Sequence, residues 1–230
     1  MGNYLISGAS KGIGFEIVSA LLEEDHQVWA ISRNVASLKE LSKQTKRGHL
    51  HIKQLNLQDK EALLAFVEEV NIVFNGVVNN AGLLVNKAFE ETNDEDWAQL
   101  IDVNLMAVIR LLRALKRNNC LKKGSHVVNI SSMGGLQGSS KFAGLSAYST
   151  TKGALSILTE SLATEWVSAG ISVNALCLGA VQTEMLAAAF PGFDAPVKAK
   201  QMGKWIANFL IYAAPLINGK ILPIARQDPS

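Results

Sequence analysis

Short β-branched and aliphatic runs alternate with longer stretches of helical period along almost the whole chain, and this alternation limits the possible folds more than any other feature. Strands are expected at Tyr4 to Ser7, Gln27 to Ser32, Leu50 to Leu55, Gly76 to Val78, His126 to Ser131, Ser172 to Leu176 and Lys220 to Ile224. Helices are expected near Ile13 to Glu24, Ala36 to Lys43, Lys60 to Val70, Glu95 to Arg117, Ala147 to Val167 and Gly203 to Ala213. Strands separated by helices pair in parallel, because a parallel neighbour needs a crossover of about a dozen residues or more. The pattern predicts an α/β fold, a doubly wound parallel sheet of about seven strands with helices on both faces. No repeat, charge run or long linker divides the 230 residues, so one domain over 1–230 is expected. Its first half would run to about residue 125 and its second from about residue 126.

Composition removes several classes of function. Charged residues make up 18% of the chain and hydrophobic ones 48%. An average domain carries roughly 25% charge, so disorder is excluded and spare apolar surface is left for a second copy of the chain. The 22 basic and 20 acidic residues show no basic block suited to nucleic acid or an anionic membrane. Cys120 and Cys177 belong to no CxxC or Cys/His cluster, which points to reduced thiols in a cytoplasmic protein. His49 and His51 could share a strand face, but no Cys or carboxylate partner stands with them to make a metal site. The longest apolar run, Trp205 to Ile217, contains Asn208 and Pro215 and falls short of the ~20 residues of a membrane span. No secretory signal is expected before the first strand.

Both punctuation-rich segments, Ser131 to Ser146 and Gly179 to Pro196, follow the carboxyl end of a strand, where open α/β sheets bind ligands. Strand one runs into Ser7-Gly8-Ala9-Ser10-Lys11-Gly12-Ile13-Gly14 and then a helix. Glycines here allow a tight turn and close approach to a pyrophosphate, and the helix N-terminus offers unpaired N–H groups to the anion. Gly8-Ala9-Ser10-Lys11-Gly12 also spells the nucleophile elbow of a serine hydrolase in its strand-turn-helix context. Spacing alone does not choose between the two. A hydrolase needs a histidine beyond the acid, at the end of a later strand. The last histidine, His126, instead opens a strand at the opposite end.

Strand two supplies the next discriminator. Folds that bind NAD place an acidic residue at its end for the ribose 2′-hydroxyl. From His26 to Lys39 there is none, and the strand ends in Ser32-Arg33. Arg33 and Lys11 would suit a 2′-phosphate, so NADP(H) is expected over NAD(H).

Tyr148 and Lys152 stand four residues apart, on one face of a helix. A phenol with a free pKa of about 10 is a poor proton-transfer group at neutral pH. A positive charge ~4 Å away is worth about 4 kcal/mol at an effective dielectric of 20 and would bring it into range. Strand five ends Val128-Asn129-Ile130-Ser131-Ser132-Met133-Gly134, placing hydroxyls at the same sheet edge. Together with the glycine turn, Asn79-Asn80-Ala81-Gly82 after strand four and Asp102-Val103-Asn104 in the fourth helix, this order of motifs resembles the short-chain dehydrogenase/reductase family. The resemblance runs from Tyr4 to about Leu222 and implies a Rossmann fold.

The resemblance also implies roles. Tyr148 would be the proton donor or acceptor, and Ser132 the hydroxyl that polarises a substrate carbonyl. Lys152 would modulate the phenol and hold the nicotinamide ribose, and Asn104 would hold a water in the proton relay. The cofactor set would comprise Gly8, Ser10, Lys11, Gly12, Ile13 and Gly14 of the turn, Ser32 and Arg33, Asn56 and Leu57, Asn80, Ala81 and Gly82, Tyr148 and Lys152, and Gly179, Val181 and Thr183. Strand alternation and the Ser-x-Gly spacing favour Ser132 over Ser131, with Ser131 as the fallback.

The chain departs from the family in several places. Asn56 stands where an Asp commonly meets adenine, and Leu178-Gly179 replaces Pro-Gly. The stretch from Ser132 to Tyr148 is longer than usual, and the last strand lacks the usual Asp-Gly-Gly. The implied activity is interconversion of a ketone or aldehyde with an alcohol. A homodimer or homotetramer would form through the helices near 95–117 and 147–167. A dinucleotide-sensing protein without turnover is the alternative.

Overall fold

The computed structural model describes residues 1–226. In chain order the elements are β1 (Asn3–Ser7), α1 (Gly12–Glu23), β2 (Gln27–Ser32), α2 (Ala36–Gln44), β3 (His49–Gln54), α3 (Lys60–Val70) and β4 (Gly76–Asn79). There follow α4 (Asp94–Ile101), α5 (Ala107–Arg117), β5 (His126–Ser132), α6 (Ser146–Glu165) and β6 (Ser172–Leu178). The chain ends with β7 (Val181–Gln182), α7 (Glu184–Ala189), β8 (Val197–Lys198), α8 (Ala199–Tyr212) and β9 (Ile221–Ile224). Seven strands form one parallel sheet in the order β3-β2-β1-β4-β5-β6-β9. The order reverses direction between β1 and β4, and ligands bind at that switch point in open α/β sheets.

Side chains alternate across each strand, so the sheet feeds two cores. Tyr4 and Ile6 of β1 and Val28 and Ala30 of β2 pack with Ile17 and Leu21 of α1 and with Ile206 and Leu210 of α8. Leu5 faces the other way, with Val77, Val127, Phe66 of α3, Leu111 and Leu115 of α5 and Leu155 of α6. Burial on both faces explains why these strands read as continuous apolar runs rather than alternating ones. The helix ends follow local chemistry. Asp59 caps α3 by accepting from Ala62 N at 3.0 Å, and Asn71 ends it in the left-handed region at φ 36°.

The helix expected from Glu95 to Arg117 is interrupted. Between α4 and α5, Asp102–Met106 forms a π turn. Asp102 there bonds Gln58 Nε2 at 3.0 Å and pairs with Arg110 at 2.6 Å. The extra residue in the turn directs Asn104 inward to full burial, as π turns at functional sites commonly do. Strand β7 and helix α7 lie in the punctuation-rich segment Gly179 to Pro196, where no element is expected, and β8 directly follows it. Two-residue strands and a six-residue helix are too short for a hydrophobic period to register.

Candidate active site

The carboxyl ends of β1, β2, β4, β5 and β6 open onto a cavity of about 750 Å³. The glycine turn forms one end of it. Gly8 has φ +64°, and a Cβ there would meet Ala81 Cα at 2.7 Å. A side chain on Gly14 would overlap the Gly8 carbonyl oxygen, so helix α1 starts directly against the turn. Asn80 Nδ2 donates to the carbonyls of Ser7 at 3.2 Å and Gly8 at 3.1 Å, and Ser7 Oγ accepts from the amides of Asn80 and Ala81. The two sequence-distant motifs therefore hold each other. A turn with no room for side chains, leading into the N-terminus of α1, fits the pyrophosphate of a dinucleotide.

Ser32 Oγ donates to Ser10 Oγ at 2.8 Å, and Ser37 Oγ donates to Ser10 O at 2.5 Å. These bonds tie the turn to the end of β2, so Lys11 and Arg33, both exposed, share the cavity rim. Among the described residues neither has a carboxylate partner. The serine-hydrolase arrangement is not assembled: Ser10 meets Ser32, not an imidazole. His126 sits at the far end of β5, bonded to Leu210 O and Asn174 Nδ2, both at 3.0 Å.

At the other end, the last residues of β5 meet helix α6. Ile130 O accepts from Lys152 Nζ at 2.8 Å. Ser131 Oγ donates to Lys152 O at 2.9 Å and is buried. Ser132 lies beside Tyr148 on the cavity wall, and its hydroxyl favours the ionised phenol. Because Ser132 Oγ accepts from Gly134 N at 3.2 Å, its own hydrogen is left to donate. Both serines line the cavity, but Ser131 is buried with its hydroxyl committed to α6, whereas Ser132 is the more exposed of the two. Burial pushes Tyr148 up to about 12, partly offset by the Ser132 hydroxyl, and burial brings Lys152 down to about 8. The expected lowering of the phenol by Lys152 is not what this geometry delivers. The Lys152 nitrogen lies 5.8 Å from the centre of the Tyr148 ring and spends a donor on Ile130, so desolvation outweighs attraction.

Asn104 stands behind this pair. Its Oδ1 accepts from Leu83 N at 2.7 Å, and its Nδ2 donates to Leu83 O at 2.9 Å and Thr151 Oγ1 at 3.0 Å. A Cβ on Gly82 would lie 3.4 Å from Asn104 Oδ1 and 3.5 Å from Lys152 Nζ, so both groups flank that glycine.

Of the expected cofactor residues, all except Gly14 line the cavity. Asn56 Oδ1 accepts from Gln58 N at 3.2 Å, leaving its amide group for a ring. The Leu178-Gly179 turn, though it lacks proline, is held by Gly179 N donating to Ile224 O at 2.9 Å. Sequence reasoning missed Gln99, Val103 and Ala107, which line the cavity from α4, the π turn and α5. Their four-residue spacing was the available signal. Glu184 was also missed; its Oε2 lies 3.7 Å from where a Gly12 Cβ would stand.

Residues 3–192 match the family model for short chain dehydrogenases. The chain is 30% identical over 184 residues to a 3-oxoacyl-[acyl-carrier-protein] reductase of Salmonella typhimurium, covering 79% of this chain and 74% of the relative. Among solved structures it resembles a short chain dehydrogenase from Burkholderia cenocepacia in complex with NADP, with TM-score 0.85 and 25% identity over 96% of this chain and 95% of the other. A 4-hydroxyisoleucine dehydrogenase mutant complexed with NADH and succinate matches with TM-score 0.85 and 26% identity over 97% and 96%. No helix among the described residues is long and apolar enough to cross a membrane. With its seven-stranded parallel sheet and its glycine turn beside the β1/β4 switch point, the chain belongs to the short-chain dehydrogenase/reductase family of oxidoreductases.

Proposed function

We propose that this protein is an NADP(H)-dependent oxidoreductase that interconverts a ketone or aldehyde with the corresponding alcohol, using Ser132, Tyr148, Lys152 and Asn104. The observation that carries the reading is that Ser132, Tyr148 and Lys152 line one end of a cavity whose other end is the Gly8–Gly14 turn. Lys11 and Arg33 at the rim, with no acid at the end of β2, favour the 2′-phosphate form of the cofactor. A bound nicotinamide supplies or accepts the hydride.

The chain's own residues perform the rest. A carbonyl oxygen placed between Ser132 Oγ and the Tyr148 hydroxyl receives a hydrogen bond from the first and a proton from the second as negative charge develops on it. A phenol held near 12 stays protonated at neutral pH and so is ready to donate in the reductive direction. Lys152, held in place by its Ile130 bond, would hold the nicotinamide ribose. Asn104 keeps Leu83, and with it Gly82, against Lys152.

Two buried free thiols suit a reducing cytoplasm. Ile101 of α4, Ile157 of α6 and Val167 just beyond it stay exposed, and there a homodimer or homotetramer would bury them. The test is NADPH and NADH consumption across several carbonyl classes with the native chain and Tyr148→Phe. NADPH turnover lost in Tyr148→Phe by a factor of about 100 or more, with NADPH binding kept, is expected. Retained turnover in the variant would remove the role given to Tyr148.

A further inference from the structure

From Ser132 and Tyr148 the cavity continues outward between two walls. One is the enlarged stretch after β5, with Met133, Phe142 and Leu145, and the other is the segment around α7, with Met185, Phe190 and Phe193. Phe142 is 41% exposed, Met185 37% and Phe193 50%. Large apolar side chains from two sequence-distant segments therefore face one cleft uncovered, where a soluble surface normally carries polar groups.

The walls are built in place. Asn86 Nδ2 donates to Ala189 O at 2.9 Å, and Lys87 N donates to Gly144 O at 3.0 Å, so one short strap grips both. Inside the first wall, Lys141 Nζ donates to Leu136 O at 2.5 Å and to Ser139 Oγ at 2.8 Å, which ties this cation into the loop. In the second, Gln182 Oε1 accepts from Ala195 N at 2.7 Å, and β7 pairs with β8. A cleft held open by polar bonds and faced with apolar side chains is pre-formed for an apolar ligand.

The charged lining of the cavity lies elsewhere. Lys11, Arg33 and Glu184 stand at the glycine turn, Lys152 beneath Tyr148, and Arg226 beyond β9. The cleft begins at the proton donor, so a substrate whose carbonyl meets Tyr148 can extend its chain into it. We infer that the substrate is a carbonyl or alcohol carrying an uncharged alkyl or aryl chain of several carbons, seated between Phe142 on one wall and Met185 and Phe193 on the other. This inference rests on the activity proposed above and adds the substrate class.

The test is a series of straight-chain 2-ketones with NADPH, in the native chain and in Phe193→Ser, alongside the same ketones ending in a carboxylate. Each methylene that enters the cleft should raise kcat/KM about fourfold, and Phe193→Ser should cut that increment to about twofold or less. Matched 3-oxoacyl thioesters form a separate arm, showing whether the chain arrives on a free ketone or an acyl carrier. The same chain lengths are followed by the thermal shift that 1-alkanols produce in the presence of NADP. A dependence on length in the alkanol shifts with no ketone or thioester turned over would support the cleft and overturn the proposed activity. Turnover that is flat with chain length, alkanol shifts that are flat, or a preference for the carboxylated ketones would overturn the inference.

Discussion

Lys152 Nζ and Ile130 O are 2.8 Å apart, which joins the second turn of helix α6 to the carboxyl end of strand β5 inside the protein. Because Ser131 also holds the Lys152 carbonyl, two adjacent residues of one strand fix the position of the helix that carries both Lys152 and Tyr148. The phenol is thus placed on the cavity wall by the sheet.

Lys152 should impose a limb on the pH profile. Burial lowers it from 10.5 to about 8, so the ammonium that would hold the cofactor ribose is lost as pH rises through that value. The expected outcome is a fall in kcat/KM for NADPH above about pH 8, since this ratio reports groups of the free enzyme. Lys152→Arg, which stays charged, should remove the limb even if it lowers the plateau. A profile flat to pH 10 in the native chain would count against the lysine.

Arg33 should decide between the cofactors. A charge-assisted contact to a 2′-phosphate is worth about 1.5–3 kcal/mol, so Arg33→Asp should weaken NADPH binding by roughly 10- to 100-fold. The same change should leave NADH binding unaltered or improve it, because the new carboxylate can accept from a 2′-hydroxyl. Fluorescence titration of both cofactors reads this directly. Equal losses for the two would withdraw the preference for NADP(H).

The strands, the glycine turn and the Tyr148–Lys152 pair were legible because each leaves a local signature in spacing or period. Gln27–Ser32 and Lys60–Val70 lie where the pattern puts them. The π turn at Asp102–Met106 left no such trace, since its cause is tertiary: the inward pull of Asn104 on Leu83 and the Asp102 contacts to Gln58 and Arg110. The direction of the Tyr148 shift was misread for a related reason. Sequence shows that a charge stands four residues away, but not that its nitrogen is committed to Ile130 or how far burial desolvates the phenol. Strand alternation does separate the two serines in burial, Ser131 being bonded to Lys152 O inside the protein, because it depends on backbone geometry alone.

Asn104 should be costly to remove for structural reasons as well as chemical ones. It satisfies both the amide and the carbonyl of Leu83 at zero exposure. Asn104→Ala leaves those groups unpaired and should cost about 2–4 kcal/mol, lowering Tm by on the order of 10 °C. Asn104→Asp keeps the acceptor but loses the donor to Leu83 O and should fall between. Calorimetry on the three proteins tests the order.

His126 gives the fold an acid weakness that is independent of the active site. It is buried with its two ring nitrogens bonded to Leu210 O and Asn174 Nδ2, an arrangement that requires the neutral ring. Burial takes it from 6.5 to about 4. Between those two values the unfolded chain binds a proton that the folded chain refuses, so stability is full above about pH 6.5 and is lost as pH falls towards 4. The loss approaches about 3 kcal/mol, with a slope near 1.4 kcal/mol per pH unit at its steepest. His26 and His51 are also lowered by burial, so the native slope alone does not isolate His126. Urea unfolding of the native chain and of His126→Gln from pH 4.5 to 7.5 separates them. The variant should be less stable at pH 7 and lose less stability on acidification, so that the two curves converge. Parallel curves would mean that His126 is protonated in the fold, and that the Leu210 and Asn174 contacts do not demand a neutral ring.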